Sequence, residues 1–317
     1  MKIIFLDSHT LSLDNDVDFN SLSKLGDYTG YDFNNNKSVA EKCLDAQIII
    51  TNKIIVDSGI ISSLGKLKLI CVIATGYNNV DILAAREKGI PVVNVPDYAK
   101  YSVSQHVFSL ILNLATKTCQ YHEDVRKGLW QKSKNFTFLK HSTFELAGKT
   151  LGIIGFGAIG RELAKIATGF EMNVLVNEIS DISETGYKNY SLDHVLINSD
   201  IVTIHCPLND ITKNLVNKDK INLMKKNAIL INTSRGGIIN EHDLKEALEN
   251  NTIAGAGIDV ISAEPPRDGN PLLENVKNLI ITPHSAWSTR EARQRMIDIT
   301  AENIEFFIKG VIKNQVN

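Results

Sequence analysis

Short β-branched runs, each followed by a helical pattern, recur along this chain of 317 residues and constrain its fold more than any other feature. In the first third they read 2-KIIFLD-7, 47-QIIIT-51, 67-LKLICVIAT-75 and 90-IPVVNV-95. Further on they read 150-TLGIIGFG-157, 173-NVLVNE-178, 201-IVTIHC-206, 228-AILINTS-234, 255-GAGIDV-260 and 279-LIITPH-284. Strands this continuously apolar are buried on both faces, which suits parallel sheets. Alternation with helices implies βαβ units with right-handed crossovers. The runs form two clusters, and the chain is too long for one ordinary core, so the expectation is an α/β protein of two doubly wound parallel-sheet domains.

Two long helices are expected beside the clusters. In 102-SVSQHVFSLILNLATKTCQ-120, Val103, Val107, Leu110, Ile111 and Leu114 fall at helical spacing with a wide apolar surface, as for a helix buried at a domain or subunit boundary. In 291-EARQRMIDITAENIEFFIKG-310, Ile297, Ala301, Ile304 and Ile308 form one stripe that could pack back on the first domain. The stretch 34-NNNK-37 reads as a loop, and no internal repeat is visible. Hydrophobic residues are 43% and charged residues 22%, ordinary for a globular protein, and a net charge of -2 gives no reason to expect a nucleic-acid or membrane-surface partner. The four cysteines (Cys43, Cys71, Cys119 and Cys206) show no C-x-x-C pairing, which argues against a metal site or a disulfide framework and fits a reducing cytoplasm. At the start, the apolar run from Ile3 to Leu6 is too short for a signal peptide, and no segment approaches the roughly 18 apolar residues that span a bilayer.

Within 152-GIIGFGAIGRELAK-165, Gly155, Gly157 and Gly160 form G-x-G-x-x-G, with Ala158 and Ile159 between them. Alone the pattern is weak. Here it follows an apolar strand and opens an amphipathic helix, where the three glycines serve a tight turn, close approach to a pyrophosphate, and packing of helix on strand. An acidic residue is then expected roughly 20 residues on, at the end of the next strand. Glu178 stands there, able to accept from ribose hydroxyls and to repel a 2′-phosphate, and Ile179, Ser180 and Asp181 follow without an arginine. The cofactor expectation is NAD rather than NADP.

Three reactive groups follow other strands. Arg235, in 229-ILINTSRGGIIN-240, is a permanent cation where open α/β sheets bind ligands, and its fork can hold a carboxylate by two parallel hydrogen bonds. Gly236 and Gly237 are expected to keep the floor beside it clear. His284 can exchange a proton near neutral pH, and Glu264, in 258-IDVISAEPP-266, can fix its tautomer and favour the imidazolium. Anion clamp, orienter and acid/base beside a dinucleotide loop suit hydride transfer to the carbonyl of a 2-oxo acid.

Taken with 51-TNK-53, 73-IATGYNNVD-81, 103-VSQHVFSLIL-112, 205-HCPL-208, 232-NTSRGG-237, 257-GIDVISAEPP-266 and 282-TPHSAW-287, the chain resembles the D-isomer-specific 2-hydroxyacid dehydrogenases over nearly its whole length, most of all their glycerate dehydrogenase/hydroxypyruvate reductase branch. The resemblance implies two Rossmann/flavodoxin-like domains: a discontinuous substrate domain, 1–100 plus 288–317, and an inserted NAD-binding domain, 101–287, with the active site in the cleft. It gives Arg235 to the substrate carboxylate and carbonyl, His284 to acid/base work and Glu264 to pairing with it. It also implies substrate contacts from Lys53 and from the backbone of Ala74, Thr75 and Gly76. Cys206 and Pro207 would wall the adenine pocket, and Thr233, Asp259 and Ala286 would lie near the nicotinamide. A homodimer is implied, through the helix beginning near Gln105 and an arm from Cys119 to Leu146. The departures are few: Glu178 stands where aspartate is commoner in the branch, Glu264 weighs against formate dehydrogenase, and the expectation is a chain without the regulatory domain of the longer phosphoglycerate dehydrogenases.

Two other readings share these residues. One is an NAD-sensing binding protein like the corepressors of this fold, which carry peptide-binding surfaces and extra tails. The other is a sibling oxidoreductase such as phosphite dehydrogenase, separable only by substrate profiling. The residues leave the choice of 2-oxo acid open.

Overall fold

The computed structural model describes residues 1–33, 35 and 38–317, so the expected loop at 34–37 lies, but for Asn35, outside the described residues. The chain divides into two compact units, Met1–Ala99 with Trp287–Asn317, and Lys100–Ala286.

In the first unit, strands β1 (Lys2–Phe5), β2 (Asp27–Gly30), β3 (Ile48–Thr51), β4 (Leu69–Val72) and β5 (Val92–Val93) form a parallel sheet in the order β2-β1-β3-β4-β5. Alternation of side chains splits its apolar runs between two faces. Ile3, Phe5, Ile48 and Ile50 pack on one side with Ala292, Met296, Ile297 and Ile304 of the terminal helix Arg290–Ile308. Ile4, Leu6, Ile49, Ile70 and Val72 pack on the other. That helix starts where the Thr289 hydroxyl accepts from the Ala292 N–H at 3.3 Å, and its Arg293 forks onto the Asp16 carboxylate at 2.7 and 2.5 Å.

β2 is absent from the sequence expectation. Its four residues, Asp-Tyr-Thr-Gly, are half-buried or exposed at the sheet edge and pair with β1 alone, so no apolar run marks them. Tyr28 anchors the strand by stacking on Phe19 with ring centroids 6.3 Å apart.

In the second unit, β6 (Thr150–Ile154), β7 (Asn173–Asn177), β8 (Ile201–Ile204), β9 (Ile229–Asn232), β10 (Gly255–Ile258) and β11 (Leu279–Ile281) form a parallel sheet in the order β11-β10-β9-β8-β6-β7. The helix expected over 102–120 is two helices, Lys100–Thr116 and Thr118–Arg126. Lys117 breaks them apart in a left-handed conformation (φ 56), its N–H closing onto the Asn113 carbonyl at 2.8 Å. Glycine or asparagine usually takes such a terminator, so lysine gives no signal there.

Both sheets reverse their winding beside the first strand, between β1 and β3 and between β6 and β8. Open α/β sheets bind ligands outside the carboxyl ends of strands at such points.

Candidate active site

The turn after β6 fits a dinucleotide phosphate in each of its glycines. Gly155 has φ +92, and a Cβ there would meet the Cys206 nitrogen at 2.5 Å, so only glycine closes this turn against the end of β8. A Cβ on Gly157 would meet nothing within 4 Å, so the N-terminal end of the Ala158–Gly169 helix is open. One on Gly160 would meet the Gly155 carbonyl oxygen at 2.5 Å, which fixes how closely helix and strand pack. Glu178, at the end of β7, reaches back to this turn and accepts the Phe156 N–H at 2.5 Å and the Ile179 N–H at 2.8 Å. Burial works against its charge, but the backbone N–H groups of Phe156, Ser180 and Ile179 outweigh it and hold the carboxyl below the ordinary range. The group is therefore an anion at neutral pH.

Three adjacent strands deliver the reactive side chains. β9 ends at Asn232, whose amide donates to the Arg235 carbonyl at 2.9 Å and whose Oδ1 accepts the Ser234 N–H at 3.0 Å. This turns the chain so that Arg235 is exposed at the strand mouth, with one guanidinium N–H on the Ser234 carbonyl at 2.7 Å. Among the described residues no carboxylate stands within ion-pair distance of Arg235. Gly236 serves a different end from the clear floor expected of it: a Cβ there would lie 2.0 Å from the Ile261 carbonyl, so what approaches is the chain leaving β10. That chain carries Glu264, whose Oε1 accepts the Ile261 N–H at 3.0 Å. Its Oε2 lies 2.6 Å from Nδ1 of His284, which follows β11. With the carboxylate accepting, Nδ1 carries a hydrogen and Nε2 is the nitrogen left to exchange a proton.

The profile of the family described as D-isomer specific 2-hydroxyacid dehydrogenase, NAD binding domain, matches residues 108–286. The chain belongs to the D-isomer-specific 2-hydroxyacid dehydrogenase family. It is 38% identical to a hydroxypyruvate reductase of Blautia hydrogenotrophica, covering 100% of both chains, and 39% identical to a glycerate dehydrogenase of Methylorubrum extorquens, covering 99% of this chain and 98% of that one. Among solved structures it superimposes on a D-lactate dehydrogenase of Aquifex aeolicus, in complex with NAD and lactic acid, with a TM-score of 0.81 at 28% identity, covering 98% of this chain and 96% of that one. As a family member the chain is an NAD-dependent oxidoreductase.

The remaining candidate residues of this dehydrogenase differ in what they leave free. The Thr233 hydroxyl is buried without a partner among the described residues, as for a group that awaits a ligand. Asp259 (1% exposed) and Ala286 are buried and committed to one another, the Ala286 N–H donating to Asp259 Oδ2 at 2.9 Å. Burial pushes the Cys206 thiol up to about 11, so it is no nucleophile at neutral pH, and Pro207 beside it is exposed. Burial also holds His205 down to about 3, which leaves it neutral and removes it as a rival acid/base among the eight histidines. Among the described residues no three His, Cys, Asp or Glu side chains gather as metal ligands.

In the first unit, the backbone N–H groups of Ala74, Thr75 and Gly76 donate to no protein acceptor among the described residues, while the Thr75 hydroxyl ties the loop to the Val95 carbonyl at 2.9 Å. Lys53 follows β3, its ammonium 5.6 Å from the centre of the Trp287 ring. Asp7 was not among the residues expected to matter here. Its buried carboxylate, just past β1, accepts the N–H groups of Asn52, Lys53 and Ile54 at 2.9, 2.6 and 3.1 Å and so shapes the loop that bears Lys53. An acid directly after an apolar strand was the signal available.

Proposed function

We propose that the protein interconverts a small 2-oxo acid of the hydroxypyruvate or glyoxylate kind and its D-2-hydroxy acid, with NAD(H) as cofactor. One arrangement carries the reading: an imidazole–carboxylate pair and a guanidinium with no carboxylate partner among the described residues, on three adjacent strand ends. In the reductive direction, bound NADH supplies the hydride. His284 gives the proton from Nε2 to the carbonyl oxygen, and Glu264 stabilises the imidazolium beforehand. Arg235 holds the substrate carboxylate and polarises the carbonyl as negative charge develops on its oxygen. The resemblance supports the N–H groups of Ala74, Thr75 and Gly76 as further contacts of the carboxylate, and the Lys53 ammonium as a contact of the rest of the acid. The relatives named hydroxypyruvate reductase and glycerate dehydrogenase support this substrate class.

The test is a panel of glyoxylate, hydroxypyruvate, pyruvate and longer 2-oxo acids with NADH, repeated with NADPH. Turnover of the short acids with NADH is expected, and a panel in which none oxidises NADH overturns the reading. The charged Glu178 should make NADH the better cofactor, and Glu178→Gln should narrow the difference. Equal kcat/KM with both cofactors in the parent protein would remove Glu178 from the selectivity argument.

We further propose a homodimer. In the second unit a groove of ≈ 720 Å³ runs beside the Lys100–Thr116 helix, lined by Tyr101, Phe108, Leu112 and Ile166. The segment after it exposes Trp130 at 51%, Phe136 at 89% and Leu139 at 90%, more apolar surface than a solitary chain usually shows. Sedimentation should give twice the mass of one chain, and the mass of a single chain at micromolar concentration would sink this assignment. Among the described residues no helix is long and apolar enough to cross a membrane.

A further inference from the structure

We propose that the Lys100–Thr116 helix clamps the turn that bears His284, and that Ser102 and His106 are positioning residues for it; this rests on the acid/base role of His284 given above. His284 has φ +52, a left-handed conformation that a side chain bearing a Cβ adopts only when its surroundings dictate it. From the β10 side Asp259 does so. Its backbone carbonyl accepts the His284 N–H at 2.7 Å, and its carboxylate accepts the N–H groups of Ser285 and Ala286, each at 2.9 Å.

The helix grips the same turn at both flanks. The Ser102 hydroxyl donates to the Ala286 carbonyl at 2.6 Å, two residues after His284. His106 Nε2 lies 2.9 Å from the Thr282 hydroxyl oxygen, two residues before it. Ser102 and His106 are four apart and so point from one face of the helix. The helix that carries them is seated hard on β10: a Cβ on Gly257 would meet the Leu110 Cβ at 3.1 Å, and one on Gly255 would meet Leu114 at 3.3 Å.

The hydrogen bonds have a fixed direction. The Thr282 hydroxyl gives its one hydrogen to Asp259 Oδ1 at 2.5 Å, so toward His106 it is the acceptor. His106 must therefore carry a hydrogen on Nε2. The chain runs from His106 through Thr282 to the buried carboxylate that pins the turn, and Nε2 is itself 3.6 Å from Asp259 Oδ1. Loss of this donor leaves Thr282 and Asp259 free to shift and lets the His284 ring drift from its proton-transfer position.

The test compares His106→Leu, His106→Gln and Ser102→Ala with the parent in single-turnover reduction of hydroxypyruvate by NADH, with the NADH dissociation constant measured separately. His106→Leu should slow the chemical step by about tenfold or more, since a misplacement near 1 Å can cost up to about a hundredfold, while NADH affinity stays close to that of the parent. Glutamine places an amide N–H near the lost Nε2–H and should restore most of the rate. Ser102→Ala should fall between them. A leucine variant as fast as the parent, or a glutamine variant as slow as leucine, overturns the clamp. Nitrogen-15 spectra of the parent's histidines decide the same point without turnover: His106 protonated on Nε2 supports the clamp, and protonation on Nδ1 alone overturns it. Should the parent reduce no 2-oxo acid at all, the functional reading fails, while the spectra still decide the hydrogen bond.

Discussion

Substitution of His284 by alanine is expected to cut the rate of the chemical step by about 10²- to 10⁴-fold, the range that general acid–base catalysis contributes, while NADH binding stays nearly intact. The separation follows from where the groups stand. His284 follows β11 at one edge of the six-stranded sheet, while the glycine turn and Glu178 follow β6 and β7 at the other. Alanine removes the ring and keeps the backbone N–H that donates to the Asp259 carbonyl at 2.7 Å, so the turn loses none of its backbone bonds. Glu264→Gln is the finer probe. It preserves a side-chain oxygen that can accept from Nδ1 but removes the charge that favours the imidazolium, so its loss should be real yet smaller than that of His284→Ala. The two variants should not multiply when combined, because both act on one proton transfer. Single-turnover rates together with NADH titration would check this. Unchanged chemistry in His284→Ala would take the acid/base role away from this residue, whatever the Glu264 variant does.

Much of the fold was legible because burial on both faces leaves a continuous apolar mark. Ile3 to Phe5 and Ile48 to Ile50 each announce a strand without help from any neighbour. The glycine turn was legible because Gly155 and Gly160 each meet a steric demand that no other residue meets equally well, while Gly157 leaves the helix end open. What escaped lacked such a mark. β2 is an edge strand with no apolar run, held by pairing with β1 and by the one aromatic ring of Tyr28. The break at Lys117 puts a long cation in a conformation that usually selects glycine or asparagine. Arg235, Glu264 and His284 are candidates because their residue types stand at strand ends. Residues that act over long sequence separations carry no such mark. Asp7 acts on residues 45 to 47 positions away, and His106 reaches Thr282 across 176 positions, so no local pattern connects them. Gly236 shows the opposite error: its position beside Arg235 suggested room for a ligand, and the chain from β10 fills that room.

Arg235→Lys should lower kcat/KM for hydroxypyruvate or glyoxylate by about tenfold to more than a hundredfold, the equivalent of roughly 1.5–3 kcal/mol for a charge-assisted hydrogen bond. Lysine keeps the positive charge and loses the fork, so this comparison isolates geometry from charge. The structure gives two reasons to expect the geometry to matter. Asn232 fixes the backbone at Arg235 through its amide at 2.9 Å, and an internal bond from Nη1 to the Ser234 carbonyl at 2.7 Å aims the guanidinium rather than leaving it to sweep solvent. The same guanidinium faces no carboxylate within ion-pair distance among the described residues, so a purely structural salt bridge does not account for it. An ammonium at this place would still attract the substrate carboxylate, but as a point charge it could not bind it by two parallel bonds and polarise the adjacent carbonyl together. The loss should therefore appear in both constants, as a higher KM and a lower kcat. A rise in KM alone would mean that Arg235 binds substrate and transition state equally and takes no part in polarising the carbonyl. A fall in kcat/KM smaller than about threefold, well under one kcal/mol, would mean that the fork is not used, and the carboxylate clamp would have to be sought elsewhere, beginning with the N–H groups of Thr75 and Gly76.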